Sequence, residues 1–161
     1  MSQRRFFDNP DFAEYVRLLG RLHRLIREGR DESEEGEALR DSMDRPGEAL
    51  SDEEGRAEAA ISADLASIDR DKSAEAKAAP STVLHDVEDA ISRRDVLGAL
   101  ATLRNHADEF PPASLAFLRG KAFEAARQHE IAADFFERAR ELSPDDSACS
   151  HHQRQPAGAA E

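Results

Sequence analysis

The sequence predicts an all-α fold, and three observations carry that prediction. Ala, Leu, Arg and Glu dominate the chain, and these residues lose least on entering a helix. Strand formers are scarce, with eight Phe, one Tyr and no Trp. Apolar side chains recur at three- and four-residue spacing between Gly, Pro and Ser stops. Apolar residues make up 39% of the 161 and charged ones 35%. An ordinary domain has roughly 45–50% and about 25%, so the core is thin and part of the chain is expected to stay unpacked.

The first helix follows from its ends. Asn9 is a capping residue, Pro10 suits the first helical position and Gly29 suits the stop. Between them Phe12, Tyr15, Val16, Leu18, Leu19, Leu22, Leu25 and Ile26 form a wide apolar face, with Arg17, Arg21, Arg24 and Arg27 opposite. His23 lies at the edge of that face and reads as a packing residue. Ser33 then caps a short helix carrying Ala38, Leu39 and Met43, which Pro46–Gly47 should end. Ser51 and Glu54 have the spacing of a capping box and open a third helix to about Ile68, with Ala57, Ile61, Leu65 and Ile68 on one face. The stretch 69–80, DRDKSAEAKAAP, has no large apolar side chain and reads as a linker. Helices resume at about 82–93, 95–109, 113–126 and 129–142, and Ser143–Pro144 stops the last. The expected organisation is an N-terminal helical region at 1–70 with an acidic insert, a linker at 71–80, helical hairpins at 81–146 and a disordered polar tail at 147–161.

Charge narrows the partners. The net charge of −12 argues against a nucleic-acid backbone or an anionic membrane surface. Residues 1–30 hold seven Arg against four acids, whereas residues 31–57 hold eleven acids against three Arg. Cys149 is the single cysteine, so no intramolecular disulfide forms. The N-terminus has no apolar run of signal-peptide length, and no later run approaches a membrane span, so a cytoplasmic location is expected.

The segment 113–146, ASLAFLRGKAFEAARQHEIAADFFERARELSPDD, resembles a tetratricopeptide repeat. Gly120, Ala122 and Phe123 take the small, small and aromatic positions of the first helix. Ala132, Phe136 and Ala139 take the small–large–small positions of the second, and Pro144 closes the unit. Ala116 stands where a large aromatic is usual, and Arg119 where an apolar residue is expected. The preceding stretch fits the template more weakly, with Arg93–Arg94–Asp95 at the turn, Ala99 and Leu103 at the small and large positions, and His106 in place of Ala. Val83, Val87 and Ala90 then face inward. Two repeats are fewer than a solenoid core needs, so the N-terminal helices are expected to supply the missing surface.

The resemblance implies a protein-interaction module with ligand peptides along the first helices of successive repeats. That face corresponds to Leu84, Glu88, Ile91, Phe117, Lys121 and Glu124. The family's carboxylate clamp needs several Lys, Arg and Asn, and only Lys121 is present. On the last helix Ile131, Phe135 and Leu142 make a second apolar stripe. Its expected fates are docking on the chain's own first helix, then a homodimer, then another partner. No phosphate loop, zinc-protease helix or dinucleotide fingerprint occurs, so no enzyme activity, cofactor or metal is expected. Asp31-Glu-Ser33-Glu-Glu35-Gly36-Glu37 begins like a calcium loop but has Ser42 where the bidentate Glu belongs. His85 and Asp86 are adjacent and point apart on a helix. The alternative is an accessory domain of an enzyme system that binds metal or a small ligand through the acidic segment or through Cys149, His151 and His152.

Overall fold

The computed structural model describes residues 6–69 and 81–143. Seven α-helices fill most of these, with no strand among the described residues: α1 Pro10–Arg27, α2 Glu34–Glu48, α3 Asp52–Ala66, α4 Ser81–Ser92, α5 Val96–Asn105, α6 Pro112–Ala125 and α7 His129–Leu142. The linker expected at 71–80 and the tail at 147–161 lie outside the described residues.

The caps read from the sequence hold the helix starts. The Asn9 side chain accepts from Asp11 N, Ser33 from Gly36 N and Ser51 from Glu54 N. Glu54 returns a bond to Ser51 N, which completes the capping box. Two ends differ from expectation. Helix α2 runs through Pro46–Gly47 to Glu48, although Pro46 has no amide hydrogen to give the helix ladder; its ring is buried. Gly47 also lets that turn approach Tyr15, whose Cε2 would lie 3.1 Å from an added Cβ. Helix α5 stops at Asn105, and a 3-10 turn covers Ala107–Glu109, since Pro111 and Pro112 bar continuation.

Both hairpin turns close in the same way. Arg94 and Arg127, 33 residues apart, each adopt φ 60°, left-handed backbone that an L side chain rarely takes. In each turn the next amide reaches back five residues: Asp95 N to Ala90 O at 2.8 Å, and Gln128 N to Phe123 O at 2.9 Å. At the same offset Ala99 matches Ala132, and Leu103 matches Phe136.

Helices α6 and α7 form the most extensive pairing, α4 pairs with α5, and α6 packs against both α4 and α5. Gly120 sits under the Phe136 ring, whose Cε1 would lie 2.6 Å from a Cβ, so the small and large positions meet across the hairpin. Phe123 and Phe135 stack at 5.5 Å between centroids. Helix α1 packs on α2 and α3 and also on α7. Phe12 and Val16 of α1, Ile61 and Leu65 of α3, Leu100 and Leu103 of α5, and Phe123 and Phe135 belong to one continuous core. The boundary near residue 70 therefore does not divide two cores.

Candidate interaction surface

The two apolar stripes expected to meet partners have different fates. Ile131 is 1% exposed and lies against Gly20 of α1, where an added Cβ would stand 2.8 Å from Ile131 Cδ1. Phe135 is buried within the core, and Leu142 is half-buried. The stripe is thus closed inside the chain at Ile131 and Phe135, and these two residues offer no free surface.

Charge fastens the same contact. Arg21 grips Glu130 with Nε at 2.9 Å and Nη2 at 2.7 Å, and Arg24 grips Asp134 at 3.3 and 2.9 Å. Arg27 adds a bond to Asp134 at 3.2 Å. The Arg21 bond holds the Glu130 carboxyl below its usual range despite some burial. Gln128 of the α6–α7 turn donates to Ala13 O at 2.9 Å. Arg21, Arg24 and Arg27 of α1 serve to dock α7, whereas Arg17 pairs with Glu14 of its own helix.

The α4–α6 face is more open. Glu88 is exposed, whereas Leu84, Ile91, Phe117, Lys121 and Glu124 are half-buried. Phe117 packs against Phe136 at 5.6 Å, and the Lys121 ammonium lies 5.7 Å from the Phe117 ring centre. Ile26 on α1, at 48%, is the one large apolar side chain left exposed among the described residues.

A buried ion triad ties α3 to the hairpins, and the sequence reading missed it. Asp64, 2% exposed, accepts from Arg104 Nε at 3.1 Å and Nη2 at 2.8 Å, and Arg119 Nη2 stands 3.6 Å away. Arg119, 7% exposed, donates through Nη1 to Ser67 Oγ at 3.0 Å, while its buried Nε has no hydrogen-bond partner. Burial outweighs the nearby Asp64 charge and lowers the Arg119 pKa. The available signal was Arg119 itself, a cation at an apolar repeat position. Its partner Asp64 sits among alanines in α3 and carries no pattern of its own.

Beside this triad is a cavity of about 230 Å³. Ile68, Phe110, Leu115, Phe135 and Leu142 give it apolar walls, Arg119 and Arg138 bring two guanidinium groups, and Asp108 is the single carboxylate of the lining.

The remaining expectations fall out as follows. His23 is half-buried with Nε2 3.0 Å from Ser62 Oγ, and burial with Arg27 nearby lowers its pKa. In the calcium-like loop Glu35 is held by Arg30, and Asp31 by Arg40 through its carbonyl and carboxylate. No group of three or more His, Cys, Asp or Glu gathers at metal-binding geometry among the described residues, and none of the described helices is long and apolar enough to cross a membrane. Cys149, His151 and His152 lie outside the described residues. Among the described residues the chain is thus all-helical, and its later helices form two hairpins, the second of which packs through α7 on α1. No protein-family model matches it, and no curated protein or solved structure matches it significantly either.

Proposed function

We propose that this chain is a non-enzymatic protein–protein interaction module built on two tetratricopeptide-like hairpins, with α1 acting as a built-in cap. The observation that carries this reading is the pair of hairpin turns with one geometry 33 residues apart, flanked by matched small and large packing positions. The turn closure itself is a common helix cap and also ends α1 at Gly29, so the support lies in its recurrence at a repeat-length interval with matched packing positions. The cap supports it further, because α1 covers the side of α7 on which a longer array would place another repeat.

Peptide recognition falls to the α4–α6 face, where half-buried Leu84, Ile91 and Phe117 are bordered by Glu88, Lys121 and Glu124. Such a face suits an extended partner that inserts a few apolar side chains and matches mixed charge. The test reverses the rim charges with Glu88→Lys and Lys121→Glu in one variant, neither of which belongs to the core. Cross-linking mass spectrometry in native extract should identify a partner bound to the parent chain and lost by the variant, with melting unchanged. A partner set identical for both proteins would refute the assignment of this face. Purified homodimer as the sole cross-linked species would replace the partner with a second copy.

A further inference from the structure

The cavity between the end of α3, α6 and α7 lies apart from the interaction face. Its α6 residues Leu115, Ala116 and Arg119 project about 160° away from Phe117, Lys121 and Glu124 at 100° per residue. The charges around it balance, since Arg104, Arg119 and Arg138 are matched by Asp64, Asp108 and Glu141. Its polar groups are engaged as well. Ser67 Oγ donates to Asp64 O at 2.6 Å and accepts from Arg119 Nη1 at 3.0 Å, and Arg138 Nη1 donates to Glu141 at 3.0 Å. The partnerless Arg119 Nε has no accessible surface, and Asp108 is exposed to solvent. What the lining leaves uncovered is apolar: Ile68, Phe110 and Phe135 are buried residues of the core, and Leu115 and Leu142 are half-buried. A void walled this way stays dry, and its walls forfeit the contacts that a filled core would make.

We propose that this cavity is a binding site for a small neutral apolar molecule, held by Ile68, Phe110, Leu115, Phe135 and Leu142. Two observations point to an occupant from outside the chain. Ala116 lines the cavity, and the repeat pattern read from the sequence has a large aromatic at that position, so the space sits beside a site the pattern fills. The residues outside 6–69 and 81–143 include Met1 but no Leu, Ile, Val, Phe, Tyr or Trp, so they hold no branched or aromatic apolar side chain to take its place. Neutrality follows from the balanced charges, because a charged ligand would lose its water without gaining a free partner. A dry cavity of roughly 150 Å³ accepts benzene, so about 230 Å³ takes a molecule of about nine heavy atoms. The site is independent of the interaction module, since no residue of the α4–α6 face takes part.

The probe is propylbenzene, titrated calorimetrically into the full-length protein beside 2-phenylethanol, which replaces its terminal methyl with a hydroxyl, and phenylacetate, which carries a charge. Propylbenzene should bind at one site, roughly tenfold or more tighter than 2-phenylethanol, with phenylacetate undetectable. Saturation with propylbenzene should raise the Tm of the parent chain. Ala116→Phe should fill the space from within, abolishing propylbenzene binding and the Tm rise that accompanies it. Circular dichroism reports whether Ala116→Phe is folded, and Leu142→Trp, at the half-buried edge of the cavity, carries the same test if it is not. Absence of propylbenzene binding up to its solubility limit overturns the proposal. Equal or tighter binding of 2-phenylethanol or phenylacetate overturns it too, as does propylbenzene binding that the folded filling variant leaves intact.

Discussion

Removing Asp64 is expected to be the most damaging single change in the protein outside the apolar core. The carboxylate is 2% exposed and faces two guanidinium groups. Asp64→Asn keeps the shape but deletes the charge that both arginines share. Arg104 escapes part of the penalty, because its side chain is 36% exposed and can turn to water. Arg119 has no such exit: it is left buried with Ser67 Oγ as its remaining partner here. Breaking a buried pair from one side costs about 3–5 kcal/mol. For a chain of this size that is roughly 9–15 °C in Tm, out of a total stability of about 5–15 kcal/mol. Urea denaturation followed by circular dichroism reads the loss directly. The double variant Asp64→Leu with Arg119→Met removes the charge and its unpaired partner together, and should recover most of the loss, since buried ion pairs exchange for apolar residues at little cost. A loss below about 1 kcal/mol for Asp64→Asn, or a double variant worse than the single one, would refute the claim that the triad links α3 to the hairpins.

Four further outcomes follow from contacts described above. Gly20→Ala should destabilise by about 1–3 kcal/mol through collision with buried Ile131, whereas Gly55→Ala, with open space around it, should stabilise by about 0.5–1 kcal/mol; denaturant midpoints of the two variants give the sign of each. Ala132→Leu should cost about 1–3 kcal/mol by overpacking the hairpin and Ala125→Leu less, and equal tolerance in thermal melts would undo the repeat alignment. Phe135→Asp should cause a large loss of stability in a protein that light scattering shows to be monomeric, because that ring stacks on Phe123 inside the core. His23 is held neutral by burial and by Arg27, so its contribution is complete above its ordinary pKa near 6.5 and is lost as pH falls below it; melts at pH 7.5 and 5.5 should show a smaller acid-induced drop for His23→Gln than for the parent, the comparison cancelling the opposite-signed effect of Glu58, whose pKa burial raises.

The helices were legible in the sequence because their signals are local. Asn9, Ser33 and Ser51 mark starts that the backbone amides of the next turn must satisfy, and three-to-four spacing identifies the faces of α1 and α7. The run past Pro46 was not legible, since proline lacks the amide hydrogen of the helix ladder and local sequence signals therefore mark it as a stop. Ile131 and Phe135 were readable as a stripe but not as a core element, although docking on the first helix was the favoured fate. What settles that question is Gly20 opposite Ile131 and the match of Arg21, Arg24 and Arg27 to Glu130 and Asp134. Those partners lie more than a hundred residues apart, beyond the reach of any periodicity. The Asp64 triad is hidden for the same reason, with one residue on each of α3, α5 and α6.

Closure of α7 by α1 has a consequence for how the protein is made. Gln128 reaches Ala13 across 115 positions of chain, so the first helix leaves the ribosome long before its cover does. At ordinary rates of synthesis the α7-facing side of α1 waits on the order of ten seconds for α7 to be made. Through that interval Gly20 and the neighbouring leucines present an unpaired groove, and the arginines beside it are free to hold other acidic chains. A ribosome that stalls before residue 129 releases a product with that groove permanently open, which exposes it to chaperone capture or proteolysis. Only a chain synthesised through α7 can cover that side of α1 in this way.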